Sequence, residues 1–251
     1  MPVEKRPHKT KGTDSTATRR RAGERDPLLR PHWRYVEPLS LDDYRAEDWA
    51  LMSRQRTEYL EEQQAVQVLD MLKASRHAPT FGYLINNYEH CLQTATLLHE
   101  DGHDEETVVT GLLHDIGFIV CSQNHGQFAA DLLRPHVSEK NVWALEHHEI
   151  FQRIHLHGYT EREDFAYINE RDRWRDQPHY EWTAEFVARY DICTIDPSIE
   201  SLPIEFFEPM VRRVFSRGHK PQKRGRTSLR GFGRFRPRRQ RTRSRVPMKT
   251  R

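Results

Sequence analysis

The stretch Gly111–Leu112–Leu113–His114–Asp115–Ile116–Gly117 sets a histidine beside an aspartate inside an apolar run. Val108 and Val109 precede it, and Phe118 and Ile119 follow. A pair with such flanks is expected to be at least partly buried, and a buried carboxylate is costly unless it is paired or binds a metal. Chance alone supplies about one His-Asp dipeptide in a chain of this composition, and two occur. The other, His103–Asp104, lies in a polar loop just ahead of Glu105 and Glu106, so it reads as a helix cap on a solvated surface. For His114–Asp115 a hydrogen-bonded structural pair is the plain reading and metal ligation the sharper one.

Outward from this stretch, helical signals dominate from Leu41 to Phe215. Tyr59, Leu60, Val66, Leu69 and Leu72 recur at helical spacing over 53–75 with no Gly or Pro. A second helix is expected over 83–100, through Leu84, Cys91, Ala95 and Leu98. The third, entered at Asp104, carries Val108 to His114. Further helices are expected at 124–134, 139–157, 180–195 and 204–216, with a polar irregular stretch at 158–179. No alternation long enough for a strand is present, and the fold class is all-α.

Charge divides the chain into three parts. Residues 217–251 hold 15 Lys or Arg and no Asp or Glu; residues 1–26 hold 8 basic and 4 acidic residues. The middle, 27–216, keeps 17 basic and 33 acidic residues, a net charge of −16 within a chain of +3. An acidic middle argues against a nucleic-acid-binding core, because phosphate backbones attract Lys and Arg. The two ends lack the apolar residues that would offset ordering entropy and are expected to be disordered tails around one domain at 27–216. The 217–251 tail suits a non-specific contact with polyanions. Three cysteines, Cys91, Cys121 and Cys193, with no CxxC spacing, suggest neither a disulfide framework nor a zinc ribbon. With no apolar leader and no apolar run beyond Ile116–Cys121, a cytoplasmic protein away from membranes is expected.

The middle carries further metal-ligand residue types. His90 lies in Tyr88–Glu89–His90–Cys91, His125 in Asn124–His125–Gly126–Gln127, and His147 and His148 in Leu145–Glu146–His147–His148–Glu149. Asp191 follows Arg189–Tyr190. Neutral imidazole and carboxylate suit iron, manganese or zinc, and a carboxylate, having two oxygens, can bridge two ions. Two ions need about six protein ligands with positions left open, and His90, His114, Asp115, His125, His148 and Asp191 are six.

The order His … His-Asp … His … His … Asp resembles the HD-domain superfamily. It is most similar to the oxygenase branch that includes the phosphonate-cleaving mixed-valent diiron oxygenases and, more distantly, myo-inositol oxygenase. The likeness covers about residues 50–216 and is carried by the segments around His90 and His114–Asp115, by His148–Glu149–Ile150–Phe151–Gln152, and by Trp182 to Val214. It implies an HD-type helical bundle with a dinuclear centre. His90, His114, Asp115 and Asp191 would hold one ion, and Asp115, His125 and His148 the other. Asp115 and His148 are the residues expected to matter most for catalysis. His148 is preferred to His147 because it precedes the similar Phe151–Gln152 segment. Gln152 stands where the phosphonate enzymes carry a Lys, and no Glu matches the one that accompanies their Tyr. Gln152, His155 and Arg189 are the candidates for substrate contact.

Two activities follow from the resemblance. The first is an oxygenase that uses O2 and a mixed-valent Fe2+/Fe3+ pair on a small polar hydroxylated substrate. The alternative is an HD-type phosphohydrolase in which manganese or another divalent ion activates water against a phosphate ester. A degenerate domain acting through its basic tail is the remaining possibility, and the intact set of six argues against it.

Overall fold

The computed structural model describes residues 30–155 and 168–217. The expected tail at 1–26, the expected tail at 217–251 apart from Arg217, and the first part of the irregular stretch at 158–179 lie outside the described residues. Among the described residues there are seven α-helices and no strand, so the described part of the chain is all-α. The helices are α1 (Ala46–Ala74), α2 (Asn87–Glu100), α3 (Glu105–Leu113), α4 (His125–Leu133), α5 (Glu139–Gln152), α6 (Tyr180–Phe186) and α7 (Ile204–Ser216). No helix among the described residues is long and apolar enough to cross a membrane.

The chain divides into two compact units, Met1–Leu60 and Glu61–Arg251. In the first, Ser40 caps the short 3-10 turn Leu41–Asp43. Trp33 meets Tyr59 edge to face at 6.2 Å, with the Arg30 guanidinium over both rings.

The second unit holds the apolar core. Leu69, Leu72, Leu98, Leu112, Leu113, Leu133, Leu145, Phe151, Phe186 and Phe207 are essentially inaccessible. Helix α2 packs along α3, α4 along α5, and α5 along α6. Side-chain caps set where two of these helices begin. The Asn86 carboxamide oxygen accepts the Glu89 N–H at 3.1 Å, so α2 starts at Asn87 rather than near Tyr83. Leu84 is thereby left in a loop and exposed. The Asp104 carboxylate accepts the Thr107 N–H at 2.9 Å and starts α3 as its sequence suggested. The helix expected over 180–195 is α6 followed by a wide π turn, Val187–Asp191. Gly126 lets α4 and α5 approach closely: a Cβ there would lie 2.6 Å from the Leu145 carbonyl oxygen and 2.9 Å from His148 Cε1.

Candidate metal centre

Six side chains separated by about a hundred residues of sequence converge inside the second unit. His90 comes from the first turn of α2, and His114 and Asp115 follow the last residue of α3. His125 opens α4, His148 lies on α5 and Asp191 ends the π turn. All six are buried, the most accessible being His90 at 8%.

Two groups form around a shared carboxylate. In the first, His90 Nε2 is 3.0 Å from His114 Nε2, and the two lie 3.5 and 3.7 Å from Asp191 Oδ1. In the second, His125 Nε2 is 3.1 Å from His148 Nε2. Asp115 stands between them. Its Oδ1 lies 3.1 Å from His125 and 3.3 Å from His148, and its Oδ2 lies 3.8 Å from His90. The triads His90–His114–Asp115 and Asp115–His125–His148 each bring their ligand atoms within 4.8 Å of one another, so these buried clusters could hold a metal ion.

The backbone fixes the tautomer of every ring. Nδ1 of His90, His114, His125 and His148 lies 2.8, 2.8, 3.0 and 2.9 Å from the carbonyls of Thr194, Gly111, Ser122 and Leu145. A carbonyl only accepts, so each Nδ1 carries the proton and each neutral ring presents a bare Nε2 to the centre. Lone pairs then face one another across the two Nε2···Nε2 contacts. Asp115 Oδ1 is buried and receives no hydrogen bond of adequate geometry although imidazole nitrogens surround it. Such an arrangement needs positive charge at its centre. Ligands about 2.1 Å from one ion sit roughly 3.0–3.4 Å apart, which is the spacing of the closest pairs here. Without an ion the charge comes from protons. Burial resists ionisation of His125, but the Asp115 carboxylate raises it to about 9. Burial would likewise raise Asp115 and Asp191, yet the imidazoles hold both below the usual carboxylate range.

The candidate substrate residues separate. A cavity of about 470 Å³ opens from the centre, lined by His90, Asp115, His125 and Asp191 and also by Gln152 and His155. Gln152 donates to Asp191 Oδ2 at 2.8 Å, so it steadies that carboxylate as well as facing the cavity. Arg189 is not brought there: its side chain is on the surface, paired with Asp101 at 2.5 Å and Glu185 at 2.8 Å. His147 stays outside the cluster, stacked on Trp143 at 3.9 Å with its Nδ1 donating to the Trp143 carbonyl.

Several residues that shape the centre were not singled out by the sequence. Thr194 is fully buried; its hydroxyl lies 2.6 Å from the Asp191 carbonyl, 2.9 Å from the Thr94 hydroxyl and 3.1 Å from His90 Nδ1. Asn87 donates to the Asp115 carbonyl at 3.1 Å. Asn87 precedes His90 by three residues, Thr94 follows it by four and Thr194 follows Asp191 by three, spacings that share a helical face with a candidate ligand. That spacing was the available signal. The three cysteines are free thiols, and none belongs to the cluster. No family model matches the chain, and no curated protein matches it.

Proposed function

We propose that the chain is an HD-type, metal-dependent oxygenase with two iron ions in a ferrous–ferric pair, acting with O2 on a small hydroxylated substrate. The observation that carries this reading is the shared carboxylate: Asp115 lies between two buried histidine pairs whose bare Nε2 atoms face inward beside an open cavity. The order of the six residues along the chain, similar to that of the HD oxygenases, supports it. So does the donor set, since nitrogen and carboxylate without thiolate accommodate both ferrous and ferric iron.

Bound iron would supply the one-electron exchanges that a reaction between a closed-shell substrate and O2 requires. The chain's own contribution is positional. His90, His114 and Asp191, with Asp115, are the residues that would hold one ion; Asp115, His125 and His148 would hold the other. Gln152 holds Asp191 in place through its carboxamide. Backbone carbonyls prevent the four rings from turning and keep their Nε2 atoms aimed inward. Phe118, edge to face with His125 at 5.5 Å, shields that side from water.

Spectroscopy tests the reading. Iron-loaded protein, partly oxidised, should give the electron paramagnetic resonance signal of a coupled ferrous–ferric pair. His148→Ala should abolish it. Absence of the signal, together with anaerobic cleavage of phosphate esters by the manganese-loaded chain, would replace the oxygenase by a phosphohydrolase.

A further inference from the structure

The cavity has unlike sides: Thr80, Asn86, Asn87, Gln152 and His155 line part of it, and an apolar strip runs outward from its buried end along the rest. At its buried end stand His90, Asp115, His125 and Asp191, all below a tenth exposed. Outward on one side, His125 meets Phe118 at 5.5 Å, and Phe118 meets Phe81 at 6.1 Å. Phe81 is 62% exposed, so this ladder of rings runs from a candidate ligand to the mouth. On another side the chain passes from Asp191 to Ile192 and Ile195, both lining the cavity, with Ile195 45% exposed. Ile85 adds a further apolar surface. Among the described residues no Lys or Arg lines the cavity. Phe81 is also held at φ +53°, a backbone conformation that side chains rarely adopt. That a large apolar residue occupies a strained position at the mouth suggests that its ring has a use there.

We propose that the cavity takes an amphiphilic small molecule, with a polar, metal-coordinating head at the buried end and an unbranched apolar tail of a few carbons along Phe118, Ile192 and Ile195 toward Phe81. This rests on the metal-centre reading above and narrows it. A fully polar polyol would leave the strip of Phe118, Ile192 and Ile195 facing hydroxyl groups, and a multiply charged phosphate would find no Lys or Arg beside it among the described residues. A carbon chain buries its own apolar surface and that of the walls together.

The test uses the full chain loaded with Mn2+, its metal content measured first, titrated calorimetrically with straight-chain hydroxamates from acetohydroxamate to hexanohydroxamate. The hydroxamate head coordinates the metal, and only the tail varies. Each added methylene should tighten binding about fourfold until the tail reaches the mouth. Phe118→Ser and Ile195→Ser should each flatten this dependence. Ile195 is at the exposed edge, so its variant keeps the test clean if Phe118→Ser fails to fold. Equal affinity across the series, an undiminished dependence in a folded Ile195→Ser, or no binding of any hydroxamate by a metal-loaded chain overturns the amphiphile alone. A chain that takes up no metal overturns the metal-centre reading along with it.

Discussion

The Nε2 atoms of His125 and His148 lie 3.1 Å apart, and both rings have their Nδ1 protons committed to backbone carbonyls. His90 and His114 repeat the arrangement at 3.0 Å. Two imidazoles so held repel when both are neutral, and one cation beside each pair turns that repulsion into coordination. Metal should therefore stabilise the fold as well as occupy it. A free ion concentration 100 times Kd adds about 2.7 kcal/mol per site. For a domain of this size that raises the unfolding midpoint by roughly 5–10 °C. Scanning calorimetry with Mn2+, then with excess chelator, checks this; a midpoint indifferent to both would count against a metal centre.

Asp115 and His125 should differ in how much metal their loss removes. Wild-type protein loaded anaerobically should hold about two ions, His125→Ala about one, and Asp115→Ala close to none, because only the carboxylate serves both groups. Elemental analysis of folded variants decides. A wild type that saturates at one ion would leave a mononuclear site.

The metal-free chain should lose stability as the pH rises. Burial pulls the His125 imidazole down but Asp115 outweighs it, carrying it from 6.5 to about 9, and His90 moves in the same direction. A pKa raised by folding contributes fully below the unfolded value and is lost as pH passes the folded one. The midpoint of chelator-treated protein should therefore fall between pH 6.5 and 9. In the loaded chain protons compete with the ion, so the metal-dependent part of the stability weakens toward acid instead. Melting curves at pH 6, 7.5 and 9, with and without metal, should show opposite slopes; parallel slopes would disprove the exchange of proton for ion.

Thr194 ties His90 to Asp191 through its carbonyl and its hydroxyl. Thr194→Val keeps the shape and the carbonyl and removes the hydroxyl. Because His90 keeps its carbonyl partner, the loss of metal affinity should be below the roughly 10- to 100-fold seen when a ligand's own partner is removed. The weakening should fall on the ion near His90 and spare the one near His125, and Thr194→Ser should restore it. Titration of both sites by calorimetry tests the selectivity: equal weakening of both, or no rescue by Ser, would make Thr194 a packing residue only.

The candidate site was more legible than the architecture around it. His114–Asp115 announced itself because two polar groups stood in an apolar run, and burial of polar groups demands a reason. Of the adjacent pair, His148 is fully buried within the cluster and His147 lies on the Trp143 ring. Arg189, a candidate for substrate contact, points instead to Asp101 and Glu185 on the surface, a direction that its place in the sequence did not fix. The start of α3 was readable at Asp104, whose carboxylate caps it. The start of α2 was misplaced because Leu84 imitates helical spacing from within a loop. The four carbonyls that fix the rings were illegible in principle, since every residue has one and only the fold decides which points where.

Gly126 gives the centre a vulnerability of a different kind. Six side chains draw attention by what they present, and each can be lost by removing it. Position 126 matters by what it lacks: an added methyl would meet His148 Cε1 at 2.9 Å and the Leu145 carbonyl oxygen at 2.6 Å. The centre can therefore be disabled by addition as well as by deletion. One chemically inert carbon would press on the same imidazole that His148→Ala takes away and on the carbonyl that holds it.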